Sequence, residues 1–542
     1  MTNSGFNLAS VLRRHAQKHP NREALRWQTG RFLASWRSLD YEELDRQSDR
    51  LAWGLQASGV ASGDRVLVMI RPGPNLLKTV FALFKLTATP VFIDPGMGVD
   101  RMARCVEEVS PQAMIGIPQA HLLRYLFPHQ FRTIRKAFWS AETPTPGPSL
   151  KRLVKRAPSS PFPFRPVPDN LPAAIFFTSG STGVPKGVCY GHRQMNAQAD
   201  TLRHLYSVKS DEIDMPTFPL FVLFSIHFGI TAVIPPMDPA HPGKADPRRI
   251  VDTIQRHQVT HSFGSPALWK RVARYCHYHH IRLPSLKRIL IAGAPVPWHL
   301  VEQLKQLLPN GEVFTPYGAT EALPVTSISG HEILTETADK TREGKGICVG
   351  RPAPRMTVRI IHIEDKPLAT WKEARALPTG AIGDIVVKGP CVSLGYWNRP
   401  SESRFAKIPD RDASWHRIGD AGYFDEQGRL WYCGRTRHRV ETPEGCYYSI
   451  MVEEIFNALD GVERTALVGV ETPEGTRAVL CVELEQGQSL AVLTDRLRET
   501  ARRHHLPLRD FLFHPGFPVD RRHNAKIERE ALARWASEQL SI

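Results

Sequence analysis

AAIFFTSGSTGVPKG (residues 173–187) sets an apolar run directly against ten residues made almost wholly of Thr, Ser, Gly, Pro and Lys. A buried strand that feeds a small-residue loop is one way to build a phosphate cradle. The glycines turn the backbone tightly and expose its N–H groups. Gly180, Gly183 and Gly187 supply that freedom. Thr178, Ser179, Ser181 and Thr182 add hydroxyl donors, and Lys186 adds a mobile positive charge. A Walker A loop places Ser or Thr directly after its Gly-Lys pair. Here Lys186 follows Pro185 and precedes Gly187, so this is a different cradle. The donor set suits a flexible polyphosphate such as the tail of ATP. No Gly-x-Ser-x-Gly elbow occurs in the chain, which sets a serine hydrolase aside.

On either side of this stretch, short apolar runs alternate with helical patterns. RVLVMI (65–70) reads as a buried strand, NLLKTVFALFKLTA (75–88) as the helix after it, and PVFIDP (90–95) as a second strand. AAIFFT (173–178), VTHSFG (259–264) and RILIAG (288–293) repeat the strand pattern. This alternation predicts an α/β fold with parallel sheets. Residues 141–170 interrupt it with eight prolines and a basic cluster, which predicts a surface connection. A second boundary falls near CGRTRHRVETPEG (433–445). Beyond it, MVEEIFNAL and residues 491–504 read as helices, RTALVGV and RAVLCVEL as strands. The predicted division is a large domain over 1–434 and a small α+β domain over 435–542, the latter of ordinary domain size.

Composition narrows the field further. Of the 542 residues, 42% are hydrophobic and 23% charged, as in a globular protein, and no apolar run is long enough to span a bilayer. The N-terminus lacks the apolar core of a secretory signal. It reads as a surface helix with Leu8, Val11 and Leu12 facing inward. Eight cysteines are scattered without a CxxC pair, which suits a reduced, cytoplasmic protein. A formal net charge of +16 favours anionic partners. The basic residues accompany no nucleic-acid-binding module, so nucleic acid is not the expected partner. Peripheral membrane association stays open. YCHYHH (275–280) could be taken for a zinc site, but histidines at the end of a surface helix account for it equally simply.

Five further motifs occur in order. They are AGAPVP (292–297), YGATE (317–321), RIGD (417–420), CGRTRHR (433–439) and HNAKIERE (523–530). Together with the 178–187 loop, they resemble the adenylate-forming superfamily of acyl-CoA synthetases, luciferases and nonribosomal adenylation domains. The resemblance covers nearly the whole chain. It implies a large N-terminal ATP- and acyl-binding domain with a small mobile C-terminal lid, and it implies ATP and Mg²⁺. Gly293, Ala294 and Pro295 would lie beside adenine, as would Tyr317 and Gly318. Thr320 would contact phosphate, Glu321 would hold Mg²⁺ and Asp420 would bind the ribose hydroxyls. Arg435 would precede the hinge and Arg437 would stand at it, where the family more often has Asp or Lys. Lys526 would contact the reacting carboxylate, although Ala525 replaces the usual preceding glycine.

Every member of that superfamily makes an acyl-adenylate, and the group that attacks it next decides the function. Acyl-CoA synthetases carry a histidine in a P-L-F-H stretch. Here PTFPLFVLFSIHFG (216–229) has Val222 at that place and His227 five residues later. Phe218, Phe221, Phe224 and Phe228 recur at helical spacing and fit either plain core or the wall of an acyl pocket. DMPTFPLFVLF, VIPPMDP, FGSPAL, TPYGATEALPV and FPVDRRHNAKI look like the β-lactone synthetases of bacterial olefin biosynthesis. The substrate implied is a long-chain 2-alkyl-3-hydroxy acid, whose own hydroxyl displaces AMP. Other enzymes of that pathway, including a β-lactone decarboxylase, are the implied partners. A long-chain acyl-CoA or acyl-AMP ligase is the alternative.

Overall fold

In this computed structural model the structure describes residues 5–30, 35–140, 146–178, 185–485, 490–519 and 527–540. The strand Pro172–Thr178, predicted from AAIFFT, lies in a seven-stranded sheet. It pairs in parallel with Thr89–Ile93 on one side and antiparallel with Lys186–Gly191 on the other. Arg65–Met69, Ala113–Gly116 and the edge strand Lys136–Trp139 continue the parallel run. The helix Pro74–Leu86 connects two of these strands. It begins with proline, which loses nothing at a first turn, and ends at Thr87 in the left-handed region (φ 56°). Ten of its thirteen residues are buried, so it is a core element and not an amphipathic surface helix.

The second sheet has 14 strands among the described residues. Ile213–Pro216, His261–Gly264, Arg288–Ile291 and Glu312–Ala319 run parallel. From Glu312–Ala319 onward the sheet turns antiparallel, because Ala319 and Ala322 pair across a hairpin too short for a parallel crossover. Ala322–Ser329, Ile347–Pro352, Leu430–Arg435, Ala413–Phe424 and Gly383–Lys388 follow in that sense. The sheets are therefore mixed, each joining a parallel run to antiparallel pairs. A third sheet of Val462–Thr472, Gly475–Leu484 and Asp510–Phe513 packs with helices Ser449–Asn457, Leu490–Arg503 and Arg529–Gln539. It forms a separate C-terminal region with its own apolar clusters around Phe456 and Leu532.

The proline-rich connection carries more structure than its composition predicts. Leu150–Arg156 forms a helix, capped where the Ser149 hydroxyl accepts from the Arg152 amide, and Phe162 and Val167 are buried. The N-terminal helix Ala9–Lys18 does turn Val11 and Leu12 inward, with Leu8 buried at its cap.

Three helices of the large region are cross-linked by charge. Lys85, whose side chain has no exposure, donates to Asp45 Oδ1 and Asp49 Oδ1 at 2.6 Å each and to Ser48 Oγ at 2.7 Å. Arg13 closes the cluster on the same two carboxylates. Burial pulls the Lys85 pKa down and pushes that of Asp49 up, and the opposite charges beside each of these two groups counter the effect. Lys85→Met removes the one fully buried cation of the cluster and leaves its two carboxylates to Arg13 alone. It should lower stability by about 3–5 kcal/mol, read as a lower urea midpoint of the large region.

Candidate active site

Tyr317, at the end of Glu312–Ala319, donates its hydroxyl to Asp420 Oδ2 at 2.6 Å. Asp420 stands in Ala413–Phe424 directly opposite Arg435, and Arg435 Nη1 lies 3.1 Å from its other oxygen. Arg435 also donates to the carbonyl of Ile418 at 3.2 Å. Only 4% of Asp420 is exposed. Burial and the Asp420 charge both drive the Tyr317 hydroxyl well above its ordinary pKa, and the same carboxylate raises that of Arg435. The strands carrying Tyr317 and Asp420 are four places apart in the sheet order, roughly 19 Å if the sheet were flat. The sheet must therefore curl for this bond to form.

A second group of residues adjoins YGATE. Glu321 Oε1 accepts from the Tyr396 hydroxyl at 2.8 Å, and Lys186 Nζ lies 5.0 Å from the centre of the Tyr396 ring. Burial and the Glu321 charge raise the Tyr396 pKa, which keeps the phenol a hydrogen-bond donor. The backbone on both sides of Glu321 is pinned. Tyr190 donates to the Thr320 carbonyl at 2.6 Å, and the Ser393 amide donates to the Glu321 carbonyl at 2.8 Å. Lys407 Nζ donates to the Ser393 carbonyl at 2.6 Å. Burial lowers its pKa to about 7 while the Glu321 charge opposes that fall. Sequence reasoning passed over Tyr396, Tyr190 and Lys407. Only the Tyr396 ring left a trace, in the aromatic pair of GYWN (395–398), and nothing in the sequence aligns Lys407 with Glu321.

The remaining residues singled out from sequence fall as follows. Gly293, Ala294 and Pro295 form the turn after Arg288–Ile291, and Gly293 adopts φ 98°, which only glycine takes readily. Gly318 is required by space, since a Cβ there would stand 2.5 Å from the Ala322 carbonyl oxygen. Thr178 closes its strand opposite Lys186. Ser179, Gly180, Ser181, Thr182, Gly183 and Lys526 lie outside the described residues. Arg437 Nη2 lies 3.2 Å from Glu530 Oε1, so it links the turn after Leu430–Arg435 to the C-terminal helix. Val222 is buried, and His227 Nε2 pairs with Asp200 Oδ1 at 3.0 Å beside an apolar crevice. Phe221 and Phe224 are half-buried with ring centres 5.1 Å apart, whereas Phe228 is core. In YCHYHH, Cys276 turns inward while His277, His279 and His280 are exposed, and no three His, Cys, Asp or Glu converge among the described residues.

Among the described residues Glu321 therefore belongs to no cluster of three or more His, Cys, Asp or Glu, and its carboxylate shares Tyr396 with Lys186. That fits Mg²⁺, which takes one or two carboxylates and fills its shell with substrate phosphates and water.

Residues 12–397 match the family model described as AMP-binding enzyme. The chain belongs to that family. AMP-binding enzymes similar to it include olefin beta-lactone synthetases from Stenotrophomonas maltophilia and Xanthomonas campestris. The first is 44% identical, with 99% of each chain covered, and the second 43% identical, with 98% of each covered. A long-chain-fatty-acid–CoA ligase from Thermus thermophilus is 25% identical over 90% of this chain and 88% of its own. Among solved structures, an amide bond synthetase from Marinactinospora thermotolerans superposes with a TM-score of 0.80 at 22% identity, covering 98% of this chain and 99% of that one. The Bacillus subtilis O-succinylbenzoate CoA synthetase in complex with ATP and magnesium gives 0.77 at 20% identity, with 96% and 98% covered. At those identities the structures speak for the adenylate-forming fold alone.

Glu321→Ala should cut pyrophosphate exchange by more than roughly 100-fold with melting unchanged, because it removes the carboxylate that shares Tyr396 with Lys186. Tyr396→Phe keeps the ring and loses only the hydrogen bond that orients Glu321, so a smaller loss, about tenfold, is expected in the same assay.

Proposed function

We propose that this AMP-binding enzyme is an ATP-dependent β-lactone synthetase acting on a long-chain 2-alkyl-3-hydroxy acid. Full-length identity of 44% and 43% to two olefin beta-lactone synthetases carries the reading, against 25% for the fatty-acid–CoA ligase. The buried Val222, at the place where a CoA ligase is expected to present a histidine, supports it.

In this reading Asp420, held by Tyr317 and Arg435, receives the ribose hydroxyls, and the Gly293–Ala294–Pro295 turn and Tyr317 flank adenine. Thr178, the 179–183 hydroxyls and amides, Thr320 and Lys186 bind the phosphates. Glu321 holds Mg²⁺, which supplies charge neutralisation of the pyrophosphate leaving group. Lys526, carried by residues 435–542 acting as a lid over 1–434, orients the substrate carboxylate for in-line attack on the α-phosphorus. A carboxylate oxygen forms the new O–P bond as the bond to pyrophosphate breaks. The 3-hydroxyl oxygen then bonds to the activated carbonyl carbon, its proton leaves, and the acyl–oxygen bond to AMP breaks. Because the nucleophile is tethered two carbons from the carbonyl, an effective molarity on the order of 10⁵–10⁸ M helps offset ring strain. A β-lactone decarboxylase is the class of enzyme that would consume the product.

The decisive experiment is product analysis by mass spectrometry with a 2-alkyl-3-hydroxy acid, ATP and Mg²⁺ in the absence of CoA. A β-lactone with stoichiometric AMP and pyrophosphate is expected, and an acid lacking the 3-hydroxyl should give no lactone. A thioester from both acids, formed only when CoA is added, would identify a CoA ligase instead. Lys526→Ala should lower single-turnover adenylation by orders of magnitude while calorimetry shows ATP affinity nearly unchanged, since its contact is made in the transition state.

A further inference from the structure

At the edge of the seven-stranded sheet farthest from the adenylation site, the surface has a character that nothing in the chemistry above uses. The helix Pro118–Leu126 buries Ala120 and His121 and turns Leu122, Tyr125 and Leu126 outward, 57%, 68% and 62% exposed. Those are three of the seven large hydrophobic side chains that stand exposed among the described residues, and they lie on one stripe of one short helix. Beside them is a cleft of about 440 Å³ between this helix, the edge strand Lys136–Trp139 and residues 146–148. Arg124, Arg135 and Lys136 line it, with the Arg124 guanidinium 5.4 Å from the Tyr125 ring centre. The next helix, Leu150–Arg156, packs against the opposite side of the sheet and exposes all four of its basic residues. From 118 to 156 the sequence holds eight Lys and Arg against one acidic residue, Glu142.

Charge on an edge strand is commonly a guard against strand pairing, and that accounts for Lys136. It does not account for an exposed Leu-Tyr-Leu stripe next to the cleft, since an edge guard needs no apolar neighbours. An apolar ridge flanked by basic side chains matches a bilayer whose surface is anionic. The ridge enters the headgroup layer and the cations meet lipid phosphates. A protein partner would have to bury the ridge while pairing most of those cations. A lipid surface satisfies both with no specific geometry.

We propose that the face formed by helix Pro118–Leu126 and the basic cleft beside it docks this enzyme on anionic phospholipid bilayers. The edge strand lies four strand spacings, roughly 19 Å, from the strand that leads into residues 179–184. Docking therefore leaves the adenylation site uncovered. The proposal stands on the surface itself. The water-insoluble substrate of the preceding section gives it a purpose but not its support.

The test is cosedimentation of the full chain with vesicles of phosphatidylglycerol and phosphatidylcholine, or of phosphatidylcholine alone, at about 0.1 and 0.5 M salt. Binding to the anionic vesicles only, largely released at the higher salt, is expected. Leu122→Ser/Leu126→Ser and Arg124→Glu/Arg135→Glu should each weaken that binding by roughly tenfold or more. A control reversal with the same charge change at two exposed arginines elsewhere, Arg256→Glu/Arg274→Glu, should leave it within about twofold. Pyrophosphate exchange with a soluble acid reports that each variant is folded. Absence of binding to anionic vesicles overturns the proposal. So does equal weakening by the control pair, which would assign binding to net charge alone, and so does insensitivity to both α-helical and cleft substitutions. None of these readouts uses lactone formation, so the two readings fail separately.

Discussion

A carboxylate with 4% exposure has to be paired, and the pairing of Asp420 sets the shape of the site. Arg435 meets it across one strand register and Tyr317 from four strands away. Removing one partner would leave a charge in a low-dielectric place. The curl of the large sheet and the orientation of the Tyr317 and Arg435 side chains are therefore one constraint. The same constraint closes the hairpin that carries YGATE against the strand that leads to the C-terminal region.

Glu321 and Lys186 depend on that closure without sharing its bonds. Their common neighbour is Tyr396, which donates to the carboxylate and offers its ring to the ammonium. The backbone clamps from Tyr190 and Ser393 hold the YGATE turn still, which is what a site that must meet a developing charge needs. Buried charge also acts elsewhere. The Lys85 cluster ties three helices to one another.

The central parallel strands were legible because a buried parallel strand is written as a short continuous apolar run. RVLVMI, AAIFFT and RILIAG became Arg65–Met69, Pro172–Thr178 and Arg288–Ile291. The mixed sense of the large sheet was not legible. Antiparallel pairing after Ala319 depends on a hairpin whose partner strand carries no distinct pattern. The helix Leu150–Arg156 was hidden by its prolines, which flank it and leave its interior free. Its Ser149 cap and basic residues only look helical once the apolar side of Leu150 and Leu153 has a surface to meet.

The sequence by itself offered the candidates for nucleotide chemistry, because a phosphate loop and short diagnostic motifs are carried by neighbouring residues along the chain. Lys186 stood out through the composition of its loop, and Tyr317, Glu321, Asp420 and Arg435 became candidates through motifs that resemble the adenylate-forming superfamily. Tertiary structure alone decided which of them touch and what surrounds them. It joined Tyr317 to Asp420 over 103 positions, Tyr396 to Glu321 over 75, and brought Lys407 near a carboxylate with which it shares no motif. It also turned His227 to Asp200 and set the Leu122 stripe beside Arg124 and Arg135. Local chemistry is encoded by neighbours along the chain. Contacts across a folded sheet depend on curl, register and burial, which arise from the sum of the packing and from no single stretch of it.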